Sequence, residues 1–312
     1  VLANQEHLDA IASQLVETRN QGEEPVEAIG ARCSKPFECD YKEHCWREVP
    51  GYSIYNIYSA KKADQIYQVT GSYSYGLTDV PENLYPNGLK RIDLECYLNG
   101  SENFEKEHIV SFLNELEYPL YYLDYETLFP TIPIFDGTRP YQQIPFQYSL
   151  HIQNKPNGET THLEFLHKEA SDPRGPFVES LISSCGHSGS VIVYNKAFET
   201  ARNNELAACY PQYEEQLKGI NERMVDLMHP FQNRHIYHPK QKGSYSIKKV
   251  LPTFTDLGYE EMDIAHGGDA SLKYYQFMIN NLKEEECEGL WDALIEYCKL
   301  DTYAMAEHLD DA

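Results

Sequence analysis

Residues 119–126 read PLYYLDYE, an aromatic and apolar run that carries two carboxylates at its end. Such a run is typical of a buried β-strand. Side chains alternate between the faces of a strand, so Asp124 and Glu126 should share one face and Tyr125 should point to the other. Two adjacent carboxylates repel each other, and a Mg²⁺ or Mn²⁺ ion would neutralise them. The segment predicts a metal-binding strand; in a chain with 49 acidic residues, an exposed acidic pair is the alternative.

The segments after this strand predict an α/β fold. Residues 145–153 and 161–167 are also aromatic and β-branched, and the turn-prone NKPNGET (154–160) separates them. A helix-like stretch follows, and then SVIVYN (190–195), a continuous apolar run typical of a buried strand. The remainder, including 213–231, is predicted to be mostly helical. Three strands, a helix, a buried strand and then helices indicate a sheet flanked by helices.

Two later segments place acidic residues next to structural signals. Glu199 comes just after the apolar strand, at the start of a helix, where Asn195 could cap the first turn and Phe198 could pack beneath it. The helix dipole alone also favours a carboxylate there. Tyr297 and Asp301 are four residues apart, so they are neighbours on one helical face. That spacing would let the phenol hydroxyl lie over a metal ion held by the carboxylate; an ordinary helix is the alternative.

Together, these three motifs resemble the tyrosine branch of the DEDD 3′→5′ exonuclease superfamily. They are D-x-E on a strand, N-x-x-F-acid after a strand, and Y-x-x-x-D on a late helix, in this order. The resemblance covers residues 118–312 and implies a ribonuclease H-like fold, in which helices flank a mixed sheet. It also implies two-metal hydrolysis of phosphodiester bonds, with Mg²⁺ or Mn²⁺, at the 3′ end of single-stranded DNA or RNA.

The resemblance also implies a role for each of five residues. Asp124 would bridge both ions. Glu126 and Asp301 would complete the site that holds the attacking water. Glu199 would act on the second ion through water, and Tyr297 would orient the nucleophile.

Two positions bear on whether such a site is active. The family usually has Asp where this chain has Glu199, and Asp226 resembles a further acidic position that supports the site without binding metal. Two other functions therefore stay open. One is a catalytically silent ribonuclease H-like module that binds nucleic acid or serves as a scaffold. The other is a phosphodiesterase of very short oligonucleotides, which the low content of basic residues would suit.

The charge of the chain limits how it could bind nucleic acid. The formal net charge is −23, which argues against tight, unassisted binding of long nucleic acid. Lysines and tyrosines are concentrated in HIYHPKQKGSYSIKKVLP (235–252). We therefore predict that Lys242 and Lys248 bind substrate phosphates and that Tyr245 stacks on a base. A solvated loop is the alternative.

The amino-terminal region contains a cysteine loop. Cys33, Cys39 and Cys45 are spaced C-x5-C-x5-C, a pattern that can hold metal. The segment CDYKEHCW resembles the C-terminal cysteine cluster of RecB-like nucleases, where a distant upstream cysteine completes a [4Fe–4S] cluster. The cluster is incomplete in this chain. A cluster remnant, a Zn²⁺ site that includes His44, and unliganded thiols all stay open.

The layout resembles an uncharacterised bacterial family in which an exonuclease-like domain follows a RecB-like iron–sulfur nuclease domain. It predicts such a tail in residues 1–50, a helical connector in 51–117 and the exonuclease-like domain in 118–312. The chain lacks an initiator Met, which favours a C-terminal piece of a longer protein. Eight cysteines without a secretory signal favour the cytoplasm. No apolar run approaches the roughly 20 residues that span a bilayer, so no membrane partner is expected.

Overall fold

The computed structural model describes residues 5–24, 29–35, 37–70, 75–260, 262–264, 266–280 and 284–310. The chain divides into two compact units, Val1–Pro86 and Asn87–Ala312. The domain boundaries predicted from the sequence lie after residues 50 and 117.

The first unit is built from short helices around a small core. Buried apolar residues from two of the helices and the following turn form this core, among them Ile54, Ile57, Ala63, Ile66 and Leu77. Its elements are α1 (Gln5–Asn20), α2 (Lys42–Cys45), α3 (Ile54–Ile57) and α4 (Ala60–Thr70), with 3₁₀ turns at Ala31–Cys33, Leu77–Asp79 and Glu82–Leu84.

The second unit mixes strands and helices. Its strands are β1 (Asn103–Phe104), β2 (Leu120–Leu128), β3 (Ile144–Gln153), β4 (Thr160–Leu166), β5 (Val191–Val193), β6 (Met224–Asp226) and β7 (Ile236–Tyr237). Its helices are α5 (Leu89–Asn99), α6 (Lys106–Asn114), α7 (Arg174–Ser184), α8 (Lys196–Cys209), α9 (Glu214–Glu222), α10 (Met228–Gln232), α11 (Ile247–Phe254), α12 (Gly267–Asn280) and α13 (Glu284–Asp310). Short 3₁₀ turns occur at Pro211–Tyr213 and Pro239–Gln241.

A five-stranded mixed sheet lies at the centre of this unit, in the order β4-β3-β2-β5-β6. Strands β2, β3 and β4 pair antiparallel, whereas β5 runs parallel to both β2 and β6. The predicted mixed α/β class is confirmed. The segment 213–231, predicted to be mostly helical, contains α9 and most of α10, but β6 lies between them, which the sequence did not predict. Only pairing with β5 makes these three residues a strand, and a local pattern does not reveal such a tertiary effect.

Part of the predicted connector belongs to the second unit. Strand β1 pairs with β7, and the Arg234 guanidinium binds the Asp93 carboxylate of α5 in a buried ion pair. These contacts join residues separated by more than a hundred positions. They explain why the second unit begins at Asn87.

Strand β2 is covered on both faces, and eight of its nine residues are buried. Tyr121, Leu123 and Tyr125 contribute to a core that also contains Phe177 of α7. On the other face, Leu120 and Tyr122 pack in a cluster with Met305 of α13. Strand alternation assigns Asp124 and Glu126 to this second face. The two carboxylates are therefore directed to the side of the sheet that α13 covers.

Polar contacts fix the position of α13 along the sheet. The Gln147 side-chain amide of β3 donates to the carbonyl of Leu294 at 2.8 Å. The Thr302 hydroxyl lies 2.7 Å from the Ser149 hydroxyl and 2.8 Å from Nδ1 of His151. All these groups except the carbonyl come from buried side chains, so a shift of the helix would break hydrogen bonds that buried polar groups need.

No helix in the described part of the chain combines the length and the apolar character needed to cross a membrane.

We expect Thr302→Val to lower the free energy of unfolding by about 1–3 kcal/mol, because it leaves buried polar groups of β3 without one partner at almost unchanged volume. Thr302→Ser keeps the hydroxyl and should stay closer to wild type. Urea denaturation measures both. If the valine variant were as stable as wild type, the polar contacts would not be what holds α13 in place.

Candidate metal centre

Two carboxylates and a thiol meet where β2 faces α13. The ligand atoms of Asp124, Glu126 and Cys298 all lie within 4.8 Å of one another. The Cys298 thiol donates to Oδ2 of Asp124 at 3.6 Å. The predicted alternation of Asp124 and Glu126 thus directs both side chains to one place.

Asp301 and Tyr297 lie one turn apart on α13, and both are buried. Asp301 is not a member of the 4.8 Å set. Its charge nevertheless helps to raise the pKa of both Asp124 and Glu126. The Tyr259 hydroxyl donates a short hydrogen bond to Oδ1 of Asp301. Tyr259 therefore holds one oxygen of this carboxylate in place.

Glu199 is the most deeply buried of the predicted ligands. Its side chain lies in the first turn of α8 and is 1% exposed. Its Oε2 has no hydrogen-bond partner among the described residues. Burial raises the pKa of Glu199 well above its usual value, and the charge of Asp124 raises it further. Glu199 also lies outside the 4.8 Å set. The charge of Asp124 nevertheless raises its pKa, and its Oε2 can accept a hydrogen bond or bind a cation.

Asp226 fixes the start of α8. Its carboxylate accepts hydrogen bonds from the backbone N–H groups of Asn195 (3.0 Å), Lys196 (2.9 Å) and Met228 (3.0 Å). Asp226 thus orients the helix that carries Glu199, and its predicted support of a metal site stays a prediction. The prediction that the Asn195 side chain caps α8 was wrong. Asn195 adopts a left-handed conformation with φ 84° and makes no side-chain cap, and Asp226 binds its N–H instead.

Lys248 of α11 lies within the site. Its ammonium is 4.9 Å from the ring centroid of Tyr297 and 5.3 Å from that of Tyr259. Its charge lowers the pKa of Asp124, Glu126 and Asp301 against the effect of burial. The lysine predicted to bind the substrate backbone therefore also acts as a counter-charge to the carboxylates.

The other two predicted substrate contacts have different surroundings. Lys242 is exposed and ends a 3₁₀ turn in a left-handed conformation. Tyr245 is 37% exposed, and the Arg234 guanidinium lies 5.6 Å from its ring centroid. Their predicted roles in substrate binding stay predictions.

The amino terminus of α12 borders the carboxylates. A Cβ atom at Gly267 would lie 3.5 Å from Oε2 of Glu126 and 4.0 Å from the Tyr297 hydroxyl. The partial positive charge at a helix amino terminus favours nearby negative groups. Gly267 thus brings favourable backbone dipoles close to the site with little bulk.

The electrostatics of these carboxyl groups favour a bound cation. Burial raises the pKa of Asp124, Glu126 and Glu199 well above their usual values, and neighbouring carboxylates add to each shift. Burial raises the pKa of Asp301 to about 6, although the Tyr259 hydrogen bond and Lys248 lower it. Carboxylate oxygens are hard donors that suit Mg²⁺ and Mn²⁺. The donor set, with the vacant oxygen of Glu199, therefore fits divalent cations.

Sequence reasoning missed three features of this site. Cys298 follows Tyr297 directly and precedes Asp301 by three positions, so helical spacing could have placed it on the same face. Tyr259 lies after α11 in a stretch without a regular pattern, and no local signal indicates its contact with Asp301. The third feature is Gly267, whose proximity to Glu126 is a tertiary effect.

The cysteine loop of the first unit does not form a compact ligand set in the described residues. Cys33, Cys39 and Cys45 are free, and their sulfur atoms do not form a group within 4.8 Å of one another. The predicted iron–sulfur or zinc site stays a prediction.

Comparison with known proteins adds relatives but no established activity. Residues 121–246 match the family described as a domain of unknown function, DUF2779. The chain is 28% identical over 211 residues to "Uncharacterized protein MG366" of Mycoplasma genitalium, covering 62% of this chain and 32% of that protein. It is 27% identical over 296 residues to "Uncharacterized protein UU173" of Ureaplasma parvum, covering 85% of this chain and 42% of that protein. The chain thus spans less than half the length of these relatives. No solved structure matches it significantly.

We expect Asp124→Asn to stabilise the metal-free protein, because it removes one of several buried like charges. A carboxyl group whose pKa is higher in the folded state stabilises the fold while protonated and loses that contribution as the pH rises through its folded pKa. Metal-free wild type should therefore lose stability from about pH 4 upward, through the pKa of Asp301 at about 6 and beyond. Asp124→Asn should gain about 0.5–2 kcal/mol relative to wild type at neutral pH, and less in acid.

Thermal unfolding in EDTA across this pH range measures the effect. Asp292→Asn, an exposed carboxylate on α13, is the matched control and should change little. If Asp124→Asn were less stable than wild type at neutral pH, repulsion between the carboxylates would not be destabilising the metal-free protein.

Proposed function

We propose that residues 87–312 form a metal-dependent 3′→5′ exonuclease that hydrolyses phosphodiester bonds of single-stranded DNA or RNA. The observation that carries this proposal is the meeting of Asp124 and Glu126 of β2 with Cys298 of α13. The charge of Asp301 on α13 raises the pKa of both β2 carboxylates, and the charge of Asp124 raises the pKa of Glu199 on α8. These side chains come from the three motifs that resemble the DEDD exonucleases. The mixed sheet flanked by helices agrees with the fold class that the resemblance implies.

Asp124, Glu126, Glu199 and Asp301 would hold the pair of Mg²⁺ or Mn²⁺ ions. When bound, such ions lower the pKa of the attacking water and stabilise the charge that develops on the phosphate. The vacant oxygen of Glu199 supports its assignment as a ligand, either direct or through water. The side chain of Glu, longer than that of Asp, would have to extend to the same centre from the start of α8.

Two tyrosines would organise the reacting groups. Burial and the surrounding carboxylates raise the pKa of Tyr297 well above its usual value, so its hydroxyl stays protonated and can donate to the nucleophile or to a phosphate oxygen. Tyr259 holds Asp301 by a hydrogen bond and thereby fixes the orientation of that carboxylate. Tyr297 would position the nucleophile, and Tyr259 would act only through Asp301.

Lys248 would bind the phosphate at the bond that is cleaved. Its ammonium lies over the rings of Tyr259 and Tyr297, and its charge interacts with those of Asp124, Glu126 and Asp301, so a phosphate held by the ions would come within its reach. The net charge of −23 suits an enzyme that holds only the last nucleotides of a strand. Lys242 and Tyr245 are exposed and could contact the nucleotides that precede them.

The same lysine favours a second candidate function. An ammonium among the carboxylates could replace a metal ion permanently, and the chain would then be a catalytically silent nucleic-acid-binding module. Added Mg²⁺ or Mn²⁺ would activate cleavage by the exonuclease and would have no such effect on the silent module, so one experiment separates the two functions.

We expect Mn²⁺ or Mg²⁺ to support stepwise shortening of a 3′ end, measured on 3′- and 5′-labelled single-stranded DNA and RNA of 20 nucleotides and on a dinucleotide. Asp124→Asn should lower the rate by at least about 100-fold, since even groups that only support a metal ligand cost 10–100-fold. Asp292→Asn should be fully active. Cleavage of the dinucleotide alone would indicate a phosphodiesterase of short oligonucleotides.

Two results would contradict the proposal. Equal activity of wild type and Asp124→Asn would assign the cleavage to another site or to a contaminant. No cleavage by wild type with either ion would favour the silent module, and Glu199→Asp would then test whether the longer side chain is the cause.

A further inference from the structure

A second group of metal-ligating side chains lies outside the carboxylate centre. It consists of Glu105, which precedes α6, His108 in the first turn of α6, and His235, which precedes β7. Their ligand atoms all lie within 4.8 Å of one another. We propose that Glu105, His108 and His235 form a binding site for a divalent transition-metal ion of the Zn²⁺ class. This inference does not depend on the exonuclease proposal.

The distances are close to those that such an ion requires. Oε2 of Glu105 is 3.6 Å from Nε2 of His108 and 3.9 Å from Nε2 of His235. Tetrahedral Zn²⁺ with bonds of about 2.0–2.1 Å places neighbouring ligand atoms about 3.3–3.5 Å apart. Side-chain torsions would have to shorten these separations by a few tenths of an ångström and rotate at least one imidazole so that both ring planes point at a common ion.

The backbone already holds the three ligands together. Strands β1 and β7 pair Asn103 with Tyr237 and Phe104 with Ile236. The Glu105 N–H donates to the carbonyl of His235 at 2.8 Å. Because the ligand-bearing segments are already ordered, metal binding would cost little conformational entropy beyond side-chain rotation.

The ligand types select the class of metal. The rings of His108 and His235 stack with centroids 4.2 Å apart and 13° between their planes, and the Nε2 atoms of both lie within 3.9 Å of the same Glu105 oxygen. Two imidazole nitrogens and one carboxylate oxygen suit Zn²⁺, Ni²⁺ or Co²⁺, whereas the carboxylate centre suits Mg²⁺ or Mn²⁺. His108 is exposed, so solvent could supply a fourth ligand.

The position of the site suggests what the ion does. It would tie the start of α6 to the start of β7, in addition to the two backbone pairs of β1. Strand β7 leads through the 3₁₀ turn Pro239–Gln241 to α11, which carries Lys248. A bound ion would therefore stabilise the base of the segment that delivers this lysine to the carboxylates.

Calorimetric titration with Zn²⁺ tests the site in the full chain. An Asp124→Asn background weakens the carboxylate centre, and the cysteine loop is the same in all variants, so the difference between variants isolates the histidine site. We expect His108→Ala and His235→Ala each to remove one equivalent of bound Zn²⁺. His187→Ala, an exposed histidine outside the group, should remove none.

Hydrogen exchange gives a second readout, which would not change if the two histidines were only a surface pair that does not bind metal. Zn²⁺ should slow exchange of the Glu105 N–H at least about 10-fold in the Asp124→Asn background and not when His108→Ala is added. Glu105→Gln, which keeps the shape of the side chain, should also remove the Zn²⁺ equivalent. Unchanged stoichiometry in both histidine variants would overturn the proposal, and so would unchanged exchange of this amide.

Discussion

Burying several carboxylates around one point is the constraint on which the second unit depends. Like charges in a medium of low polarity are costly, and protonation, a counter-charge or a bound cation must offset that cost. Burial raises the pKa of Asp124, Glu126 and Glu199, and neighbouring carboxylates raise each further. Lys248, the Tyr259 hydroxyl and the amino terminus of α12 each offset part of it. A stable fold needs little of this arrangement, and the proposed metal-dependent reaction would make use of it.

The architecture explains how distant segments can build one centre. Strand β2 is apolar on both faces up to Asp124, so it occupies the middle of the sheet and carries its carboxylates into the interior. Helix α13 is held along the sheet by Gln147 and Thr302, which sets the height of Asp301 above β2. Asp226 fixes the start of α8 and hence Glu199. The four acids are therefore positioned by three elements, and α13 and α8 each have their own polar anchor.

The parts of the site that sequence could predict follow from local periodicity. Strand alternation placed Asp124 with Glu126, and helical spacing placed Tyr297 with Asp301. The parts that sequence missed depend on contacts between distant residues. Strand β6 exists only through its pairing with β5, Tyr259 reaches Asp301 from an irregular segment, and Asp226 replaces Asn195 as the cap of α8. The start of the second unit at Asn87 likewise rests on pairing of β1 with β7, which no local pattern reveals.

A crystal structure of the chain with Mn²⁺, with anomalous difference density to locate the ion, tests the central claim most directly. We expect anomalous peaks for ions bound by Asp124, Glu126 and Asp301, with Glu199 bound directly or through water. The Lys248 ammonium should move away from these carboxylates. Absence of a peak at these carboxylates in millimolar Mn²⁺, with the Lys248 ammonium remaining among them, would contradict a metal-dependent centre.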